Sequence, residues 1–291
     1  MASGTLHLVA TPIGNLGDVT LRALEVLRVV PLIAAEDTRV TRRLLTRYEI
    51  TTRTTSYHAH SDPARTAELL DHLRGGADLA LVTDAGTPGV SDPGAELAAA
   101  WAVEGGRVEA IPGASAVMVA VVVTGIAGPR WSFEGFLPRR GRDRRDRLAR
   151  IGADERGTVI FEAPRRLGGT IDDLVTACGA DRPAAICREL TKMHEQVIRG
   201  TLGELARTVA GGSMDARGES VVVIGWSDAI AATGDWRRST AGATARGAED
   251  PLPSALARVE TLVSDGVARG EAARRVARET GLSRRVLYRV S

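Results

Sequence analysis

Along the first half of this chain, short apolar runs alternate with helix-period segments. Leu6 to Ala10, Leu32 to Ala35, Leu79 to Thr83 and Arg107 to Ile111 read as strands, the third of them apolar enough to be buried on both faces. Each ends in a polar loop that leads into a helix. Val19 to Val30 carries Leu21, Leu24, Val26, Leu27 and Val30 near helical spacing, and a basic helix follows Arg39. Asp92-Pro93 reads as an N-cap with proline in the first turn, opening a helix to Val103, and Pro112-Gly113-Ala114-Ser115-Ala116 opens an apolar helix to Thr124. Four strand-loop-helix units therefore deliver their loops to one edge of a sheet.

The pattern changes near residue 126. Trp131 to Phe136, Thr158 to Glu162, Ala185 to Leu190, Gln196 to Arg199 and Ser220 to Trp226 read as strands, and the close spacing of the third and fourth predicts antiparallel pairing. The expected organisation is an α/β domain over 1–125, a second α/β domain with a mixed sheet over 126–228, a linker over 229–250 and a small helical domain over 251–291. In the last, Ser254 to Val263, Gly270 to Thr280 and Ser283 to Val290 are expected helices. Ala277, Gly281 and Leu287 are spaced as in a helix-turn-helix.

Composition narrows the class. Apolar residues make up 44% and charged residues 25%, as in a soluble globular protein. With no bilayer-length apolar stretch and no basic-then-apolar leader, a cytoplasmic location without membrane attachment is expected. Cys178 and Cys187 lack metal or redox spacing and the histidines are scattered, so no metal is expected. The net charge is only +2, but basic residues cluster at Arg39 to Arg47, at Arg139 to Arg150 and at Arg274 to Arg289, where they can attract phosphate. Lys192 is the single lysine among 38 basic residues, which points to a need for a compact ammonium there.

The loops carry the chemistry. After Leu79 to Thr83 the chain runs Asp84-Ala85-Gly86-Thr87-Pro88-Gly89-Val90-Ser91-Asp92-Pro93-Gly94, with glycines that allow backbone to approach a ligand and prolines that stiffen the turn. The first loop, Thr11 to Asp18, lacks the G-x-G-x-x-G spacing of a dinucleotide site. Glu36 and Asp37 are adjacent at a strand end, so at most one of them faces a site.

Taken together, Thr11-Pro-Ile-Gly-Asn15, Glu36-Asp-Thr-Arg39, Asp84-Ala-Gly-Thr-Pro88, Ser91-Asp-Pro-Gly94, Pro112-Gly113, Glu134-Gly-Phe-Leu-Pro138 and Arg188-Glu-Leu-Thr-Lys192 resemble one family. It is the bacterial small-subunit (16S) ribosomal RNA cytidine 2′-O-methyltransferases, of the tetrapyrrole-methylase fold. The resemblance runs from Leu6 to Tyr288, and Pro112 to Ser115 departs from a commoner proline- and cysteine-containing form. It implies S-adenosylmethionine bound between two α/β domains, a homodimer, and methylation of a ribose hydroxyl in the decoding region. By the same resemblance Asp84, Ala85, Gly86 and Pro88 line the cofactor, with Ser115 and Ala116 at its methionine end. Phe161, Glu162 and Leu190 close over it. Pro12, Gly14, Asn15, Glu36, Asp37 and Arg39 face the RNA side.

Methyl transfer to a hydroxyl needs alignment first, then a base or a cation that stabilises the forming alkoxide. Lys192, Asp37 and Glu36 are the expected catalytic groups, and Arg139, Arg140, Arg284 and Arg285 are expected on RNA. Two other readings stay open: a methylase of tetrapyrroles or other small substrates, and a non-catalytic RNA-binding protein.

Overall fold

The computed structural model describes residues 3–58, 61–212, 218–227 and 251–280, together with Tyr288. The chain forms two compact units, 1–234 and 235–291. The first unit contains two five-stranded sheets.

The first sheet is parallel throughout, in the order β3-β2-β4-β1-β5. Its strands are β1 (Thr5–Val9), β2 (Leu32–Ala35), β3 (Thr54–Ser56), β4 (Leu79–Val82) and β5 (Arg107–Ile111). Every residue of β4 is buried, as expected of a strand covered on both faces. Helices α1 (Leu21–Val29) and α2 (Thr38–Arg47) contribute to one core layer, and α3 (Pro63–Arg74) and α4 (Ala95–Val103) to the other. Sequence pattern missed β3, a three-residue edge strand of Thr, Thr and Ser that pairs only with β2 and has no apolar alternation to betray it.

The start of α4 corrects a sequence expectation. Asp92 does not cap this helix, because the N-cap is Gly94 at φ 124 and the helix begins at Ala95. A Cβ at position 94 would lie 2.4 Å from Leu81 Cδ2, so both backbone and space require glycine there. Asp92 is thereby left outside the helix.

The second sheet is mixed, in the order β6-β7-β10-β8-β9. Strands β6 (Trp131–Phe136) and β7 (Gly157–Glu162) run parallel. β8 (Pro183–Arg188), β9 (Gln196–Thr201) and β10 (Ser220–Ile224) complete it through antiparallel pairs, including the expected β8–β9 pair. β8 stops at Arg188 and not at Leu190, because Glu189 and Thr191 adopt φ of 49° and 66°. Three further helices, α6 (Arg142–Ala153), α7 (Leu167–Cys178) and α8 (Leu202–Ala210), cover one face. The opposite face receives α5 (Ala116–Thr124), whose Val117 and Ala120 pack with Val159, Val221 and Val223. One core layer thus runs from the loops of the parallel sheet into the mixed sheet.

The second unit contains α9 (Pro251–Ser264) and α10 (Arg269–Thr280), close to the first two expected C-terminal helices. Ala255, Val259, Ala272, Ala273 and Val276 form its small core, with Ala277 packed against it. Arg274, Arg275 and Arg278 are exposed on α10. The expected linker, the third helix apart from Tyr288, Gly281, Leu287, Arg284 and Arg285 lie outside the described residues.

Candidate active site

Loops from both sheets meet at a cavity of about 410 Å³. That volume lies in the range of small-molecule sites. From the parallel sheet come Ile13 after β1, Glu36 after β2, the Asp84 to Asp92 loop after β4, and Ser115 to Val117 at the start of α5. All four loops leave carboxyl ends of parallel strands, where ligands of open α/β sheets bind. The mixed sheet supplies Phe136, Phe161, Glu162, Leu190 and Glu219.

Hydrogen bonds between loops fix the parallel-sheet side. Thr11 and Gly86 exchange backbone bonds of 2.8 and 3.1 Å, the first loop docking on the β4 loop. The Asp84 amide donates to Glu36 Oε2 at 3.2 Å, and the Asp37 amide donates to Asp84 Oδ1 at 3.0 Å. Gly86 holds φ +84, a backbone state that L side chains resist. Ser115 caps α5 by accepting from the Met118 amide, and both Ser115 and Ala116 border the cavity.

The adjacent carboxylates of the β2 loop diverge as strand geometry demands. Glu36 lines the cavity; Asp37 does not. Asp37 caps α2 and chelates Arg39, whose hydrogen bonds hold its carboxyl down to about 2. Of the two carboxylates expected to take part in the reaction, Glu36 alone borders the cavity, while Asp37 is engaged by the helix start and by Arg39.

Other expectations also shift. Pro12 is buried, so it does not present itself to an RNA surface. Asn15 is exposed but accepts from the Gly17 amide at the start of a short 3₁₀ turn. Pro88 is buried outside the cavity lining, beneath the loop and near Gly94. Glu162 borders the cavity yet is fully engaged, accepting from Thr170 Oγ1 at 2.6 Å and the Ala163 amide at 2.8 Å and pairing with Arg166 at 3.2 Å. Arg39, Arg139 and Arg140 are all exposed.

Lys192 sits beside the cavity, not on its lining. Its Nζ contacts Glu189 Oε1 at 2.9 Å and Glu219 Oε2 at 3.3 Å, and Glu219 borders the cavity. Partial burial pulls the ammonium pKa down, but the Glu189 hydrogen bond and both carboxylates outweigh it, so the net shift is upward. Lys192 therefore stays protonated.

The group that sequence reasoning missed is Asp92. Half-buried on the cavity wall, its carboxyl is raised to about 7, first by burial and then by Glu36, Asp84 and Glu219. The signal was present in Ser91-Asp-Pro-Gly94, but a helix cap explained the same letters. Asp84 is raised too, mainly by desolvation. Cys187 also borders the cavity, but burial pushes its thiol up to about 12, which removes it as a nucleophile. Among the described residues no cluster of His, Cys, Asp and Glu could hold a metal ion.

The family model for tetrapyrrole (corrin/porphyrin) methylases matches residues 5–206. The chain is 45% identical over 288 residues to the ribosomal RNA small subunit methyltransferase I of Synechocystis sp., covering 99% of this chain and 97% of that one. It is 42% identical over 291 residues to the protein of the same name from Mycobacterium tuberculosis, covering 99% and 94%. The chain belongs to the ribosomal RNA small subunit methyltransferase I family. Its fold is that of a uroporphyrin-III C-methyltransferase from Thermus thermophilus, with a TM-score of 0.54 at 20% identity over 78% of this chain and 97% of that one. The family's fold explains the architecture around the cavity: one parallel sheet, one mixed sheet, and loops from both converging. Among the described residues no helix is long and apolar enough to cross a membrane.

Proposed function

We propose that this protein transfers a methyl group from S-adenosylmethionine to the 2′-hydroxyl of a cytidine in the decoding region of small-subunit ribosomal RNA, acting as a homodimer in the cytoplasm. The observation that carries the reading is near-full-length identity, above 40%, to relatives named for small-subunit rRNA methylation.

The cavity suits the cofactor. Ile13, Val117, Phe161 and Leu190 offer apolar surface for a nucleoside, while Glu36, Asp84, Asp92 and Glu219 supply negative charge for a ligand that carries a sulfonium and an ammonium. Asp84, Ala85 and Gly86 hold one side, Ser115 and Ala116 the methionine end, and Phe161, Glu162 and Leu190 the other side. Bound there, the cofactor supplies an electrophilic methyl with a neutral thioether as leaving group.

The chain's own residues then align and activate the hydroxyl. Lys192, kept protonated, acts as a cation toward the developing oxyanion or its neighbouring phosphate, and not as a base. Asp92, on the cavity wall with its carboxyl raised to about 7, can accept a proton near neutral pH. Arg39, Arg139 and Arg140 attract RNA backbone outside the cavity. Arg284 and Arg285, which lie outside the described residues, add further phosphate contacts in this reading. Met118 and Val122, exposed one turn apart on α5, favour the homodimer by leaving an apolar strip to cover.

The deciding experiment offers tritiated S-adenosylmethionine to purified small ribosomal subunits, naked rRNA and small tetrapyrroles. Label in the ribose of a subunit cytidine is expected; label only in tetrapyrrole overturns the reading.

A further inference from the structure

Glu134-Gly-Phe-Leu-Pro138 forms the end of β6 and the turn after it. In a regular strand Phe133 and Phe136 would point to opposite faces, because they are three residues apart. They do not. β6 pairs Phe133 with Val159 and Phe136 with Phe161, so three steps on β6 oppose two on β7 and one extra residue is absorbed. Gly135, at φ +60, takes up that bulge. Bulges re-aim side chains, and this one brings Phe136 onto the Phe133 side.

Both rings consequently pack on Phe161. Phe133 meets it edge-on at 4.9 Å between centroids, and Phe136 lies tilted against it at 5.5 Å. The chain contains only three phenylalanines, and all three stand in this one row. The row is graded from partly buried Phe133 and Phe161 to Phe136, which is 54% exposed while bordering the cavity. A Cβ on Gly135 would lie 2.9 Å from Ser91 Oγ, so the same bulge lets the loop carrying Asp92 come up beside the ring. Three residues further on, Arg139 and Arg140 are exposed and have no carboxylate within ion-pair distance among the described residues.

An aromatic face held by two partly buried neighbours, open on its outer side and followed by guanidinium groups with no carboxylate partner among the described residues, has the chemistry of a single-stranded nucleic-acid platform. Ring faces stack on bases and the cations take the phosphates. For a ribose hydroxyl to enter the cavity, its nucleotide must leave the RNA stack, and the displaced base needs a surface in exchange. We infer that Phe136 is the stacking platform for the base of the methylated nucleotide, positioning its ribose over the cavity. This rests on the rRNA reading above. Phe136 is thus a positioning residue, and Gly135 is what aims it.

The test compares full-length wild type with Phe136→Ala, Phe136→Leu, Phe136→Tyr and Phe136→Trp. Each is measured for tritium transfer to purified small ribosomal subunits, for S-adenosylmethionine affinity by calorimetry, and for oligomeric state by sedimentation. Alanine and leucine are expected to lower kcat/KM for the subunit by roughly 5- to 150-fold, the value of one lost base stack. Tyrosine and tryptophan restore it, and cofactor affinity and oligomeric state stay at wild-type values. Full activity in the leucine variant overturns stacking in favour of plain apolar contact. Weakened cofactor binding in the alanine variant makes Phe136 part of the cofactor wall, and a changed sedimentation profile makes it a subunit contact; either overturns the proposal. A wild type that does not label rRNA removes the parent reading, whereas a labelling wild type matched by the alanine variant removes Phe136 alone.

Discussion

A β-carbon on Gly14 would sit 2.4 Å from Cγ of Lys192 and 2.9 Å from its Cε. The first loop of the parallel sheet and the β8–β9 loop of the mixed sheet therefore meet at Gly14, where a side chain would push the lysine stem aside. The constraint is one of space and not of backbone angle, since Gly14 does not have a positive φ. The contact holds the lysine stem while Glu189 and Glu219 hold its head.

This arrangement makes a paired prediction. Lys192→Met is expected to lower kcat by about 10²-fold, the usual loss when one electrostatic donor to a developing oxyanion is removed, with cofactor affinity unchanged. Lys192→Arg should not restore the rate, because a planar guanidinium replaces a point charge. Gly14→Ala should mimic Lys192→Met by displacing the stem. Rapid-quench kinetics with small subunits measure all three; wild-type kcat in Lys192→Arg would remove the lysine from the reaction.

Asp92 predicts a pH dependence. Its carboxyl is raised from 3.8 to about 7, so the folded protein holds a proton in that window that the unfolded chain has already released. Stability is therefore expected to fall as pH rises from about 4 to 7, and Asp92→Asn to fall less. A cationic ligand in the cavity favours the ionised form, so its affinity should rise with pH through about 7 and its binding should release a proton. Calorimetry at neutral pH in two buffers of unlike ionisation enthalpy measures the proton. Equal release from wild type and Asp92→Asn would assign the titration elsewhere.

Gly86 is constrained by conformation. A Cβ there would meet only ordinary contacts, 3.5 Å from Ile13 Cγ2 and 3.8 Å from the Ala114 carbonyl oxygen, but φ is +84. Gly86→Ala is expected to cost about 1–3 kcal/mol of stability through backbone strain. The β-branched Gly86→Val should abolish S-adenosylmethionine binding by moving the loop off Thr11, while circular dichroism reports a folded protein. Intact affinity in the valine variant would take Gly86 out of the site.

Much of this architecture was legible because each parallel strand is an apolar run broken by a glycine- or proline-bearing loop, and such runs have few other uses. The loops at the sheet edge were placed correctly for the same reason. What sequence could not resolve were letters with two physical readings. Asp92 before proline looks the same whether it caps a helix or faces a cavity, and only the fit of Gly94 against Leu81 decides. Asp37 likewise reads as a base or a cap, and its chelation of Arg39 favours the cap. The aim of Phe136 depends on a bulge, which strand periodicity does not encode.

The last prediction concerns the second unit. Residues 235–291 form a unit of their own, and among the described residues the buried core of α9 and α10 consists of alanines and valines. Its acidic side chains are partly committed internally, Glu260 to Arg269 and Glu279 to Arg258 at 3.2 Å, whereas Arg274 and Arg278 on the exposed face of α10 have no carboxylate partner among the described residues. If these cations and those farther along the chain grip RNA backbone, truncation after Gly247 frees the phosphates they hold without touching the cavity. Cofactor affinity should then match the full-length protein, while subunit affinity falls and its dependence on salt flattens by slightly less than one unit of log–log slope for each phosphate no longer neutralised. Filter binding across a salt series, beside calorimetry with S-adenosylmethionine, measures both quantities. An unchanged subunit affinity with an unchanged slope would show that this unit does not bind RNA, and a fall in cofactor affinity would show that it supports the cavity instead.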